Sequence, residues 1–329
     1  MSHYTQLTAF DRGRIEELLD EHMSMRQIAS KLHRSVSTIS REIHRCGTNS
    51  YRAETAHADY MTSRKNSHRT RKLSDPKLRS EVIQDIQVKH WSPEQIAGRL
   101  SVTAGHNVIS YNTIYRGIAR DNLMIKKNNG ARGIARQLRH RGKTRRRSGY
   151  VERRGKLPIP HTIHERPIDA DKRLRIGDWE LDTIVGKPGG EVLVTLADRK
   201  TRILKAKKAT SKRTRDVMDV LEELLRTTSS KEIQTITPDR GKEFSDNQRI
   251  TNKFNVEFYF PDPHAPWQRG TNENTNGLVR EYIPKGAAFE NYTDSYIESM
   301  VKQINSRPRK LFGWRSATEY YLSQVFHLN

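Results

Sequence analysis

The sequence predicts a multidomain chain, with all-α units first and then an α/β domain whose sheet carries helices on its faces. Three observations predict it. Apolar residues recur at helical spacing through the first third, behind clear capping residues. Near Arg173 the pattern changes to alternation over short runs. Between the two lies a basic, glycine-broken stretch that cannot bury a core.

Composition narrows the partner. The 329 residues include 60 Lys and Arg against 38 Asp and Glu, a formal charge of +22 and a pI near 10.1. Such an excess points to a polyanion, and nucleic acid is the expected one. No apolar run approaches membrane-spanning length, so no membrane partner is expected. The opening Met-Ser-His-Tyr-Thr-Gln lacks the basic-then-apolar order of a signal peptide. Cys46 is the single cysteine, which excludes a disulfide framework and a cysteine-based zinc site. A cytoplasmic, nucleoid-associated setting is the expectation.

Residues 1–50 read as a helix-turn-helix unit. Thr8 caps a helix through Asp11, Ile15 and Leu18. A second runs from Ser24 to Leu32, with Ile28 and Ala29 inward. Ser35 caps a third that buries Val36, Ile39 and Ile43. Its outer face carries Ser37, Thr38, Arg41 and Arg45. Short hydroxyls and arginines there suit base edges and phosphates. Residues 51–72 read as a polar, basic linker. Residues 73–125 form a second helix-turn-helix-like unit. There Ser92-Pro93-Glu94-Gln95 is a sharp helix start, and Ser110 caps a helix presenting Asn112 and Arg116. A helical spacer is the plainer reading of that unit. Residues 126–165 are a basic arm. From Lys126 to Lys156 it has thirteen Lys or Arg and one acid, Glu152, and it should order only against an anion.

Residues 166–329 carry the change of pattern. Ile176 to Val185 alternates as a strand, with Trp179, Leu181 and Val185 on one face and Asp178, Glu180 and Asp182 on the other. Strands follow through Val192 to Leu196, Arg202 to Lys208, Ile233 to Thr237 and Val256 to Phe260. Thr214 to Arg226 is a helix with Val217, Val220, Leu221, Leu224 and Leu225 as its apolar stripe. A helix from Gly270 puts Glu273, Asn276, Gly277 and Arg280 on one face. Another runs from Thr293 to Asn305.

If the first and fourth strands are neighbours, an acid late in one and Asp239 just after the other meet at the strand ends, and the Gly270 helix brings Glu273 to them. Hard Mg²⁺ or Mn²⁺ ions need such oxygen ligands. Two of them can serve an in-line phosphoryl displacement. Spacing alone does not choose among Asp178, Glu180 and Asp182, and Glu243, Asp246 and Glu281 are further candidates.

Three motifs carry a resemblance. They are Trp179-Glu-Leu-Asp-Thr-Ile184, Asp239-Arg-Gly-Lys-Glu-Phe244 and, above all, Pro263-His-Ala-Pro-Trp-Gln-Arg-Gly-Thr-Asn-Glu-Asn-Thr-Asn-Gly-Leu-Val-Arg-Glu-Tyr282. Ile283-Pro-Lys-Gly286 and Asn305-Ser-Arg-Pro-Arg-Lys310 extend them. Together they resemble bacterial transposases of the insertion-sequence-thirty family, whose catalytic domain is ribonuclease-H-like, of the DDE integrase type. The 33 residues between Asp239 and Glu273 fit that family's spacing. Asp178, Arg240 and Leu181 depart from its usual residues.

The resemblance implies a catalytic and metal-holding triad of Asp182, Asp239 and Glu273 with two Mg²⁺ or Mn²⁺ ions. It implies binding of double-stranded DNA, as terminal inverted repeats and target, and metal-dependent strand cleavage and transfer. Asn276, Arg280 and Lys285 are candidates for holding the backbone near the metals, with His264 and Trp267 as packing or stacking groups. Pairing two ends implies a homo-oligomer, at least a dimer, in the active DNA complex. The alternatives are a DNA-binding regulator with a decayed catalytic domain, a metal-dependent nuclease without joining activity, and a structural nucleoid protein.

Overall fold

The structure is a computed structural model and describes residues 6–45, 51–67, 70–125, 133–138, 159–263 and 265–326. His264 and most of the basic arm lie outside the described residues. The chain divides into two compact units, Met1–Ser74 and Asp75–Asn329.

In the first unit, α1 (Ala9–Asp20), α2 (Met25–Lys31) and α3 (Val36–Arg45) form the helix-turn-helix. Thr8 with Asp11 and Ser24 with Gln27 make reciprocal capping boxes, each satisfying two otherwise orphaned N–H groups. Ile15, Leu18, Ile28, Ala29 and Ile39 close the core. A buried ion pair joins α1 to α3, with Arg12 Nε 2.6 Å from Glu42 Oε1. Arg12 also donates to the Leu7 carbonyl at 2.7 Å. The stretch read as a linker is largely helical. There α4 (Ala53–Ser67) buries only Ala56, and Glu16 of α1 accepts from the Ala53 N–H at 2.9 Å.

The second unit begins with α5 (Pro76–Gln87), α6 (Pro93–Ala104) and α7 (Tyr111–Asp121). Asp75, Ser92 and Ser110 cap them. From the basic stretch, Gly133–Gln137 is a 3₁₀ turn. Ile134 is buried there, and its N–H reaches Asn122 Oδ1 at 2.6 Å. An apolar side chain with a side-chain acceptor in reach orders this part of the arm without an anion.

The sheet follows. Its strands are β1 (His161–Thr162), β2 (Asp178–Val185), β3 (Val192–Asp198), β4 (Leu204–Ala209), β5 (Thr235–Thr237) and β6 (Glu257–Phe260). The helices are α8 (Ile168–Lys172), α9 (Thr214–Arg226), α10 (Asn247–Phe254), α11 (Gly270–Tyr282), α12 (Asp294–Ser306) and α13 (Ala317–Val325). Strand order is β1-β6-β5-β2-β3-β4. Strands β2, β3 and β4 form an antiparallel meander, while β5 runs parallel to β2 and β6 parallel to β5.

Each face of the sheet has its own core. Trp179 and Leu181 of β2 point to one, against Val217, Leu221 and Leu225 of α9. Ile184 points to the other, with Leu278 and Val279 of α11 and Ile297 and Met300 of α12. The alternation in β2 is therefore the division between two apolar layers. At the β4 edge, the Asn305 side chain accepts from the Leu204 N–H and donates to the Leu204 carbonyl, both at 2.8 Å.

Helix α6 docks on the C-terminal segment. Gln95 Nε2 donates to the Pro308 carbonyl at 3.0 Å. Arg99 forks onto Glu319 at 2.9 and 2.6 Å. Gly98 lies flat under the Trp314 ring, where a Cβ would come within 2.1 Å of it. Helices α5 to α7 thus belong to the same compact unit as the sheet.

Candidate active site

Strand register brings the first two acids together. Glu180 of β2 stands opposite Thr237 of β5, and the strands are parallel. Two residues further along each chain come Asp182, still within β2, and Asp239, just past the carboxyl end of β5. In open α/β sheets ligands bind outside those ends.

The two carboxylates share a cation. Arg269 Nη2 is 3.3 Å from Asp182 Oδ2, and its Nη1 is 4.0 Å from Asp239 Oδ2. Arg269 sits in the 3₁₀ turn Pro266–Arg269 that leads into α11, and its Nη2 also donates to the Leu181 carbonyl at 2.9 Å. Asp182 accepts from Asn276 Nδ2 at 2.7 Å and from the Thr183 N–H at 2.9 Å. Asp239 accepts from the Gly241 N–H at 2.7 Å. Burial pushes the Asp182 carboxyl above its ordinary value. Arg269 opposes that rise and Asp239 adds to it.

Helix α11 is pinned to β2 at its start. The Asn272 N–H donates to Glu180 Oε2 at 2.9 Å, and Asn272 Nδ2 donates to the Leu181 carbonyl at 3.1 Å. Glu273 follows on the exposed side of the helix, one turn before Asn276. Among the described residues no three His, Cys, Asp or Glu side chains converge closely enough to hold a metal ion. The donor chemistry nevertheless fits a hard cation at the aspartate pair. Two carboxylates already flank one positive group, and Glu273 lies on the neighbouring helix.

The other acids have structural partners. Asp178 is buried against Arg175 at 3.1 Å and accepts from Thr235 at 2.8 Å. Glu180 is buried against Arg199 at 2.6 Å. Glu243 accepts from Thr183 Oγ1 and pairs with Lys212, both at 2.9 Å. Asp246 lies 3.5 Å from Arg249, and Glu281 lies 2.7 Å from Arg307.

The candidate DNA contacts divide. On α3, Ser37, Arg41 and Arg45 are exposed and Thr38 half-buried. Arg41 rests on the Ser37 carbonyl at 3.0 Å. Asn112 and Arg116 of α7 are exposed, as is Lys285. Asn276 is turned to Asp182 rather than outward. The Arg280 guanidinium reaches the Val185 carbonyl at 2.6 Å and the Pro284 carbonyl at 3.3 Å, so it ties α11 to the end of β2. Trp267 is 76% exposed beside Arg269. Sequence reasoning missed Arg269 and Asn272 as site residues. The signal available was their place inside the long polar motif.

A helix-turn-helix unit and an α/β domain whose three-strand antiparallel meander is extended by three parallel strands define a DNA-binding protein with a ribonuclease-H-like sheet. A family model described as a helix-turn-helix domain matches residues 3–46. The transposase for insertion sequence element IS4351 of Bacteroides fragilis is 35% identical over 327 residues, covering 98% of this chain and 97% of the relative. The transposase for IS1086 of Cupriavidus metallidurans is 33% identical, covering 98% and 95%. The transposase InsI for IS30A of Escherichia coli is 34% identical, covering 95% and 82%. The catalytic core domain of BIV integrase overlaps 46% of this chain and 98% of its own, at 12% identity and a TM-score of 0.38, too slight an overlap to add to the topology itself. The chain belongs to the IS30 family of insertion-sequence transposases. No helix among the described residues is long and apolar enough to cross a membrane.

Proposed function

We propose that this transposase binds the terminal inverted repeats of its own element and cuts and joins DNA at Asp182, Asp239 and Glu273. The observation that carries this is the aspartate pair, two residues beyond the last register pair of adjacent parallel strands and sharing one cation. A decayed regulator would have no need to keep a buried carboxylate beside a second one.

Asp182 and Asp239, with Glu273, are the residues that would hold Mg²⁺ or Mn²⁺. When bound, such ions supply a Lewis acid at the attacking and leaving oxygens of a phosphodiester. The protein's own part is positioning. Asn276 and the Thr183 N–H fix the two oxygens of Asp182. Asn272 holds the start of α11 on β2, and so sets where Glu273 stands. Arg269 neutralises both aspartates when no other cation does. Water would cleave the strand at the element's end, and the freed 3′-hydroxyl would attack a second phosphodiester. Ser37, Thr38, Arg41 and Arg45 would meet the repeat, with Asn112 and Arg116 on a second contact. Lys285 would meet the backbone near the acids. Two ends require at least two copies in the active complex, acting on DNA in the cytoplasm.

The test is an excision-and-joining assay with Mg²⁺ on a donor plasmid carrying the gene's native flanks. Wild type should yield joined ends, and Asp182→Asn and Glu273→Gln should yield none while still binding the flanks. If all three proteins bind and none cuts, the triad loses its support and the regulator gains it. Cleavage without joined product would identify a nuclease.

A further inference from the structure

A cavity of about 690 Å³ opens in the second unit, and neither of the two aspartates lines it. That volume is in the range of small-ligand sites, ~300–1,000 Å³. Its wall has two chemistries. One side carries Lys172, Arg173, Lys200, Arg202 and Arg315, and no acid lines it. The other is apolar, built from Val102, Leu311, Phe312 and the Tyr320 ring. Phe312 and Tyr320 are stacked, with centroids 4.1 Å apart and planes within 7°. Leu311 is 69% exposed.

The backbone beneath the arginines is unusual. Arg173 has φ +59° and Arg202 has φ +63°. Glycine or asparagine is the ordinary occupant of such positions, and an arginine there is uncommon. Arg173 ends α8, and Arg202 closes the turn between β3 and β4, whose Thr201 N–H is held by Asp198 Oδ1 at 2.6 Å. Both backbone turns would form more readily with glycine. Arg202 Nη1 also donates to Thr271 Oγ1 at 2.5 Å, two residues before Glu273. Burial and the nearby Arg173 pull Arg202 down to about 10, while Glu180 and Asp198 oppose that fall.

We propose that the cavity seats one unpaired nucleotide of a DNA strand, with phosphates on the cationic side and the base against the Leu311–Phe312–Tyr320 wall. Cations tracking a backbone beside an aromatic platform are how single strands are held. A base turned out of a helix offers its face to such a wall, whereas a base inside a duplex is already stacked on both sides. The contact with Thr271 couples the seat to the helix that carries Glu273. This inference deepens the proposed function and rests on it for the source of the strand.

The variant Arg173→Gly/Arg202→Gly tests it. Glycine suits both backbone positions; because the change at Arg202 also removes its bond to Thr271, the thermal midpoint of the variant is read first and Arg173→Gly alone is titrated beside it. The full-length chain is titrated with fluorescent oligothymidylate, the same oligonucleotide with abasic sites, and a blunt duplex. Wild type should bind the thymidylate strand, and the variant should bind it about tenfold more weakly. Losing two phosphate contacts should also flatten the salt dependence by about 1.4 in log–log slope. Duplex binding should change less than about twofold, because the α3 face is untouched.

Unchanged single-strand binding in the variant would overturn the proposal. An abasic strand that binds as well as thymidylate would remove the base seat. Free thymidine 5′-monophosphate that competes as well as the strand, nucleotide for nucleotide, would make this a free-nucleotide site and overturn the strand assignment. None of these readouts requires cutting or joining. A chain that seats the strand but never joins ends would therefore fail the proposed function and keep this site.

Discussion

At the scale of single residues, Asp182 and Arg269 act in opposite directions on stability. The Asp182 carboxyl is raised in the fold, so the folded chain holds its proton more tightly than the unfolded one. Metal-free stability from this group is therefore greatest at low pH. It falls as pH rises from the ordinary aspartate value near 3.9 through the folded one. In EDTA at pH 7, Asp182→Asn should raise the thermal midpoint, and the gain should vanish below about pH 4. Arg269→Gln should do the reverse, costing about 1–3 kcal/mol in EDTA by leaving two carboxylates without their cation. Added Mg²⁺ should return most of that loss. Unfolding curves with and without Mg²⁺ read both effects, and equal losses in the two buffers would mean that Arg269 does not stand in for a metal. In the first unit, Arg12 and Glu42 are buried almost completely. Glu42→Ala should cost about 3–5 kcal/mol by stranding Arg12, read as lost helical signal together with lost duplex binding.

At the scale of elements, what was legible followed from periodicity. Strand β2 was legible because Trp179 and Leu181 alternate against Ile184, and α9 because its apolar stripe is continuous. Helix α4 was not, because it buries Ala56 alone and so shows no stripe. Strand β1 has two residues, too few to alternate. The choice of Asp182 over Asp178 and Glu180 was not in the spacing, since all three alternate alike. It took the family motif to single out Asp182, and the structure supplies Arg175 and Arg199 as partners for the other two. Arg269 was hidden because an arginine in a polar motif carries no periodic signal. The docking of α6 was hidden because Gly98 and Trp314 are far apart in the chain. Gly98→Val should force the Trp314 ring away, costing about 1–3 kcal/mol as overpacking. Arg99 holds Glu319 below its ordinary value. That contribution is present above the ordinary glutamate range and is lost as pH falls through the lowered one. Both partners are partly exposed, so solvent screening limits it to about 1 kcal/mol or less. Hydrogen exchange in α6 and α13 should quicken together in Gly98→Val. Exchange that quickens in α6 alone would show that the two helices do not open as one.

At the scale of the whole molecule, the charge of +22 sets how the chain meets DNA. Association should be fast and strongly salt-dependent. Replacing Arg145, Arg146 and Arg147 with alanine should flatten the duplex-binding slope by about 2.7 if each meets one phosphate. A slope that does not move would take those three residues out of the contact.

That charge also bears on the edge of the sheet. Were several copies to meet on DNA, their mutual repulsion would be neutralised, the condition in which an open strand edge recruits another chain. At β4 the edge groups of Leu204 are already taken by the Asn305 amide, which occupies the place of a seventh strand. Lys205, Lys207 and Lys208 of the same strand are tied to Thr228, Glu223 and Glu191. Pairing of a further strand at Leu204 is thus closed on this edge of the sheet.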